Sequence, residues 1–178
     1  APPKTGAMTN MDATHTFMFA DLVGFTTFTE KNGDEAAADL AESFCARVCE
    51  LNEGHAAEEV KTLGDACMIR VPSPSCAVEL GLEIVEAVGP SQGLPRVRVG
   101  IDVGQAVERR GDWFGSTVNT AARVVAAADE STVLVTDAVR AAAQSLTEIH
   151  FASRGAPKLK GIDRPIELYC VLRKTQGT

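Results

Sequence analysis

The sequence predicts an α+β domain, one antiparallel-rich sheet carrying helices mainly on one face. Three observations lead there. Short apolar runs such as "HTFMFAD" and "RVRVGIDVGQAV" have the length and alternation of strands. Longer stretches repeat apolar residues at three- and four-residue steps, as helices with one buried face do. Strand–helix units are mixed with a hairpin pattern instead of alternating strictly, which separates α+β from a parallel α/β sheet.

Taken in order, His15 to Asp21 reads as a strand, an apolar run that delivers a carboxylate to its end. In "TTFTE", Thr27 precedes Glu30 by three residues, a capping-box pattern expected to open a short helix. "GDEAAADLAESFCARVCEL" follows, with Ala37, Leu40, Phe44, Val48 and Leu51 on one helical stripe and Asp34 placed to cap its start. "EEVKTLGDACMIRV" predicts a hairpin with Asp65 at its tip. "SCAVELGLEIVEAVG" is an amphipathic helix through Ala77, Leu80, Ile84 and Val88, closed by Gly89 and Pro90. In "RVRVGIDVGQAV", Val97, Val99, Ile101 and Val103 share one strand face. A polar turn, "ERRGDWFG", leads into the helix "STVNTAARVVAAA". The strand "TVLVT", the short helix "DAVRAAAQ" and the strands "EIHFAS" and "IELYCVL", which flank "RGAPKLKGIDRP", complete the chain.

At 178 residues and 45% apolar the chain suits one domain with a sizeable core. Residues 1–14 are expected to be a mobile lead-in, 15–174 the domain and 175–178 a tail. The net charge of −7, with scattered basic residues, argues against a nucleic-acid-binding surface, which needs clustered Lys and Arg. No apolar run reaches the 18 residues of a membrane span, and no export signal is evident, so a cytoplasmic location is expected. Five cysteines without a C-x-x-C pair fit no closed disulfide set, and reduced thiols are the expectation.

Chemistry concentrates in three places. Asp21 and Asp65 would converge if their strands are neighbours, and two close carboxylates call for a proton or a hard cation such as Mg²⁺ or Mn²⁺. A lone turn aspartate is more often a structural cap, so the joint arrangement carries the point. After Asp21, "LVGFTT" places a glycine before a helix start, where successive N–H groups can hold an anion without any Walker sequence. On "STVNTAAR", Asn119 and Arg123 are four residues apart on one helical face, with small Ala121 and Ala122 between them to let a substrate approach. Arg suits the charge on a transferring phosphoryl group.

Together, "FADLVGFT", "VKTLGDACM", "GDWFGSTVNTAAR" and "KLKG" resemble the class III nucleotidyl cyclase catalytic domain, from about residue 15 to 172. The resemblance implies a ferredoxin-like βαββαβ core with additional strands and helices, and a head-to-tail homodimer with composite active sites. It implies that Asp21, Asp65 and the Leu22 carbonyl bind two divalent cations, Mg²⁺ or Mn²⁺, and that Gly24, Phe25 and Thr26 hold phosphates. Lys61 and Asp112 match the adenine-selecting pair, which chemistry favours: an ammonium donates to N1 and a carboxylate accepts from the N6 amine. Asn119 matches a ribose-orienting residue and Arg123 one that stabilises the transition state. Lys160 matches a terminal-phosphate ligand, with Lys158 as a rival. The implied reaction converts ATP to cyclic AMP and pyrophosphate. A guanylyl cyclase and a catalytically silent nucleotide-binding homologue are the alternatives. "NGDEA" at 32–36 superficially resembles the GGDEF loop of diguanylate cyclases, but it precedes an amphipathic helix and reads as a helix cap.

Overall fold

A computed structural model describes residues 13–175; most of the lead-in and the last three residues of the tail lie outside the described residues. The elements are β1 (Thr14–Leu22), α1 (Phe25–Asn32), α2 (Asp34–Glu53), β2 (Glu58–Leu63), β3 (Ala66–Val71), α3 (Pro74–Ala87), β4 (Val97–Gln105), β5 (Val107–Arg109), β6 (Asp112–Phe114), α4 (Ser116–Ala127), β7 (Val133–Thr136), α5 (Asp137–Ala142), β8 (Ile149–Ser153) and β9 (Leu168–Arg173).

Seven strands form one sheet in the order β2-β3-β1-β4-β7-β9-β8, and β5 and β6 make a separate two-stranded ribbon. All neighbours are antiparallel except β4 and β7. The first four strands, with their connecting helices, are the βαββαβ core that the resemblance implied.

The period of two along β1 divides the molecule. Met18, Ala20 and Leu22 face a core shared with Leu40, Phe44 and Val48 of α2, Leu80 and Ile84 of α3, and Val139 of α5. Phe17 and Phe19 face the other way, against Ala121 and Val125 of α4. α2, α3 and α5, with Phe25 and Phe28 of α1, therefore cover one face, and α4 lies alone on the opposite one. It can lie there because β4 has a glycine beneath it. A Cβ on Gly100 would stand 2.2 Å from Val125 N, 2.6 Å from its Cα and 2.8 Å from its Cβ.

Three local expectations are corrected. Thr27 caps nothing: α1 begins at Phe25 and its cap position is Gly24, at φ 75°, with no side-chain bond. A left-handed glycine turns the chain straight from strand into helix, so the helix starts before the capping-box residues are reached. Asp34 is the first residue of α2 and Gly33 holds the cap position, leaving Asp34 to interact only with the helix dipole. "ERRGDWFG" is no simple turn but most of the β5–β6 ribbon, reversing at Arg110 and Gly111, both at positive φ. "NGDEA" lies at the α1–α2 junction and not in a hairpin.

Candidate active site

The strand register brings the first pair of candidates together. Asp21 pairs with Ala66 across β3, and the Leu22 N–H donates to the Asp65 carbonyl at 3.1 Å, so the hairpin turn folds over the end of β1. Asp65 is raised above the ordinary carboxylate range, first by burial and then by the charge of Asp21. A positive charge already answers theirs. Arg98, opposite Asp21 on β4, donates from Nε and Nη2 to Asp21 Oδ2 at 3.0 and 2.8 Å, and from Nη1 to the Ala126 carbonyl at 3.1 Å. Two carboxylates that draw in a guanidinium, with oxygen donors only, are a donor set that fits Mg²⁺ or Mn²⁺.

Beside them, the Gly24 turn presents the first turn of α1. The N–H groups of Phe25 and Thr26 fall in the helix's first turn, where no intrahelical acceptor exists, and no side chain caps them. The missing capping box is thus consistent with an anion cradle.

The second pair meets at a different place on the same side of the sheet. Lys61 Nζ donates to Asp112 Oδ2 at 2.7 Å, and the ammonium holds the Asp112 carboxyl below the ordinary range. A β-bulge makes this possible. The pairing of β2 with β3 shifts between Glu59 and Lys61, so that Lys61 stands opposite Met68, whose side chain faces α4. Without the extra residue Lys61 would oppose Cys67 and point into the apolar core under α2 and α3. Asp112 is held from behind: its Oδ1 accepts from the Trp113 N–H at 2.8 Å. The Trp113 ring packs against His15 and Phe17, at centroid distances of 4.4 and 5.6 Å, and under the Arg70 guanidinium at 5.1 Å.

On α4, Thr117, Thr120, Ala121, Val124 and Val125 are buried, while Asn119 and Arg123 are exposed on the outer face. Ala121 therefore serves packing against Phe17 and Phe19 and does not open a path for substrate, as its small size had implied. Arg123 forms no ion pair among the described residues. Lys158 and Lys160 are both exposed on either side of Leu159, which is buried against Val124 and Leu168; their positions do not choose between them.

Residues 8–173 match the sequence profile of the adenylate and guanylate cyclase catalytic domain. The chain belongs to that family. Among curated cyclases, it is 38% identical over 169 residues to a pH-sensitive adenylate cyclase of Mycobacterium tuberculosis, covering 92% of this chain and 42% of the relative. It is 41% identical over 117 residues to an adenylate cyclase of Streptomyces griseus, covering 66% and 29%. The chain thus spans less than half the length of these relatives. The fold is similar to that of the adenylyl cyclase CyaB from P. aeruginosa, with TM-score 0.76, 21% identity and coverage of 92% and 95%. It is also similar to a Trypanosoma brucei adenylate cyclase described in its monomeric state, with TM-score 0.79, 22% identity and coverage of 95% and 94%.

Seen as a cyclase domain, the chain has two residues at the site that its sequence did not single out. Arg98 lies among alternating valines, which put it on the face away from Val97 and Val99, but only the β1–β4 register sets it against Asp21. Trp113, the lone tryptophan in a polar stretch, was a visible oddity whose role depends on tertiary packing.

Proposed function

We propose that this domain is an adenylyl cyclase, acting on ATP at sites shared across a homodimer. The observation that carries the choice of base is the Lys61–Asp112 pair at 2.7 Å. An ammonium and a carboxylate side by side present a donor and an acceptor to one edge, matching adenine N1 and N6. Guanine, with a donor at N1 and an acceptor at O6, meets the same pair with the wrong polarity.

Asp21, Asp65 and the Leu22 carbonyl would hold two divalent cations, Mg²⁺ or Mn²⁺, whose chemistry is to lower the pKa of the attacking hydroxyl and neutralise the triphosphate. The Gly24–Thr26 amides and Lys160 or Lys158 hold phosphate oxygens. Lys61 and Asp112 fix the base, and Asn119 orients the ribose. The 3′-oxygen then attacks the α-phosphorus in line with the departing pyrophosphate. Arg123 stabilises charge on the equatorial oxygens, where preorganised donors act most strongly.

The composite arrangement is supported by the outward face of α4. Asn119 and Arg123 point away from the sheet that carries Asp21 and Asp65, so a second copy with its carboxylates opposite Arg123 completes each site. Twofold self-assembly is the commonest closed arrangement. Among the described residues no helix is long and apolar enough to cross a membrane.

The test is to incubate purified protein with ATP or GTP, each with Mg²⁺ or Mn²⁺, and identify the product across protein concentrations. Cyclic AMP as the main product, with specific activity rising with concentration, is expected. Cyclic GMP as the main product, or ATP binding without turnover, refutes the reading.

A further inference from the structure

Beside the site, on the opposite face of the sheet, three cysteines and a carboxylate lie together with no part in the chemistry above. Cys45 and Cys49 are one helical turn apart on α2, Cys67 is on β3 and Glu59 on β2. Cys45 Sγ is 3.3 Å from Cys67 Sγ. Cys49 is engaged elsewhere, donating to Glu59 Oε2 at 3.0 Å. Burial pushes the Cys45 and Cys67 thiols up, so it is the 3.3 Å approach that singles out their pairing. Cys45 is half-buried, whereas Cys67 has no exposed surface. The cluster thus has two partly exposed thiols, Cys45 with Cys67 directly behind it and Cys49 held aside by Glu59.

We propose that Cys45 and Cys67 are a reversible thiol–disulfide site that ties α2 to β3 and, through β3, adjusts the carboxylate pair of the active site. The last clause rests on the reading of Asp21 and Asp65 given above. The oxidant is a low-molecular-weight disulfide. The Cys45 thiolate attacks one of its sulfurs, breaking that S–S bond and expelling one thiolate, which leaves a mixed disulfide. Cys67 loses its proton and attacks the Cys45 sulfur, forming the intramolecular bond and expelling the second thiolate. Two protein thiols lose two electrons in all, and the oxidant is reduced to two thiols.

The coupling follows from position. A disulfide needs its sulfurs about 2.05 Å apart, so the pair must close by roughly 1.2 Å. Cys67 is two residues after Asp65 and stands opposite Ala20, the neighbour of Asp21. A close-packed interior passes such a shift on to the strand ends instead of absorbing it. In the reduced protein nothing covalent joins α2 to the strand, so the two states differ in how firmly β3 is held.

The experiment treats the reduced, purified protein with glutathione disulfide at mildly alkaline pH and digests it without reduction for mass spectrometry. A Cys45–Cys67 cross-linked peptide, about 2 Da lighter than the two thiol peptides together and abolished by dithiothreitol, is expected. Cys45→Ser and Cys67→Ser must each remove it, and Cys49→Ser must not. No cross-link, a glutathione adduct on Cys45 that never resolves, or pairing through Cys49 overturns the site. In parallel, oxidised wild-type protein is expected to lose about tenfold in ATP turnover and regain it with reductant, while Cys45→Ser is unmoved by the oxidant. An unchanged rate in fully cross-linked protein overturns the coupling. Reduced protein that makes no cyclic product instead removes the cyclase reading, leaving the cross-link to stand on the mass measurement alone.

Discussion

Gly100→Ala tests how closely α4 must lie on the sheet. The added methyl carbon would meet Val125 N at 2.2 Å, its Cα at 2.6 Å and its Cβ at 2.8 Å. Two of these are backbone atoms, which no rotamer change can move. Bringing them to ordinary contact needs α4 to withdraw by about 1 Å, an overpacking strain that costs about 1–3 kcal/mol. For a domain whose urea dependence is about 2 kcal/mol per molar, the denaturation midpoint falls by about 0.5–1.5 M. Activity is expected to suffer more than stability. Asn119 and Arg123 ride on α4, and a displacement of about 1 Å at a reacting centre can cost about a hundredfold in rate. The comparison is Gly89→Ala, where a Cβ meets nothing within 4 Å and the backbone is extended. Urea unfolding followed by circular dichroism and ATP turnover are measured on both. A Gly100→Ala protein indistinguishable from Gly89→Ala in both refutes the close-approach argument.

Further outcomes are expected elsewhere. Replacing Lys61 by Glu together with Asp112 by Ala should lower kcat/KM for ATP by about a hundredfold, two charge-assisted hydrogen bonds being lost; unchanged ATP turnover shows that this pair does not read the base. Arg123→Ala should abolish cyclic product while ATP binding, read by calorimetry, persists; retained turnover removes Arg123 from the transition state. Asp21→Asn should lower the Asp65 midpoint in an NMR titration, though not to the ordinary range, because burial is the larger cause and remains. The sign for stability follows. A carboxyl raised on folding makes the folded state bind more protons between its unfolded and folded midpoints, so stability is lost as pH rises through that interval, and Asp21→Asn should make the loss shallower. Ser73→Ala removes the side-chain oxygen that accepts from the Cys76 N–H at 3.2 Å at the start of α3, and should cost about 1 kcal/mol in urea unfolding.

Much of the candidate site was legible as residue types. Asp21, Asp65, Lys61, Asp112, Asn119 and Arg123 could each be named from quoted motifs, and Asn119 and Arg123 could be placed together because a helix sets its own geometry within four residues. The α1 start was misread for the same local reason turned round. Thr27 and Glu30 satisfy a capping pattern, yet one glycine at φ 75° lets the helix begin earlier, and a sequence does not display which φ a glycine takes. The β5–β6 ribbon was hidden by its polarity, since strands this short expose most of their residues and show no buried alternation.

The sequence by itself determined the class of fold, the helical faces and the chemical vocabulary of the site, because these depend on periods of two and 3.6 residues that are complete within one element. Only the tertiary structure decided which groups meet. The register of β1 with β3 and β4 brought Asp21 to Asp65 and to Arg98. One bulged residue in β2 turned Lys61 out of an apolar core and toward Asp112. Register is a long-range choice made by the packing of both sheet faces at once, and a shift of one residue reverses every side chain beyond it, so no local stretch of sequence contains it.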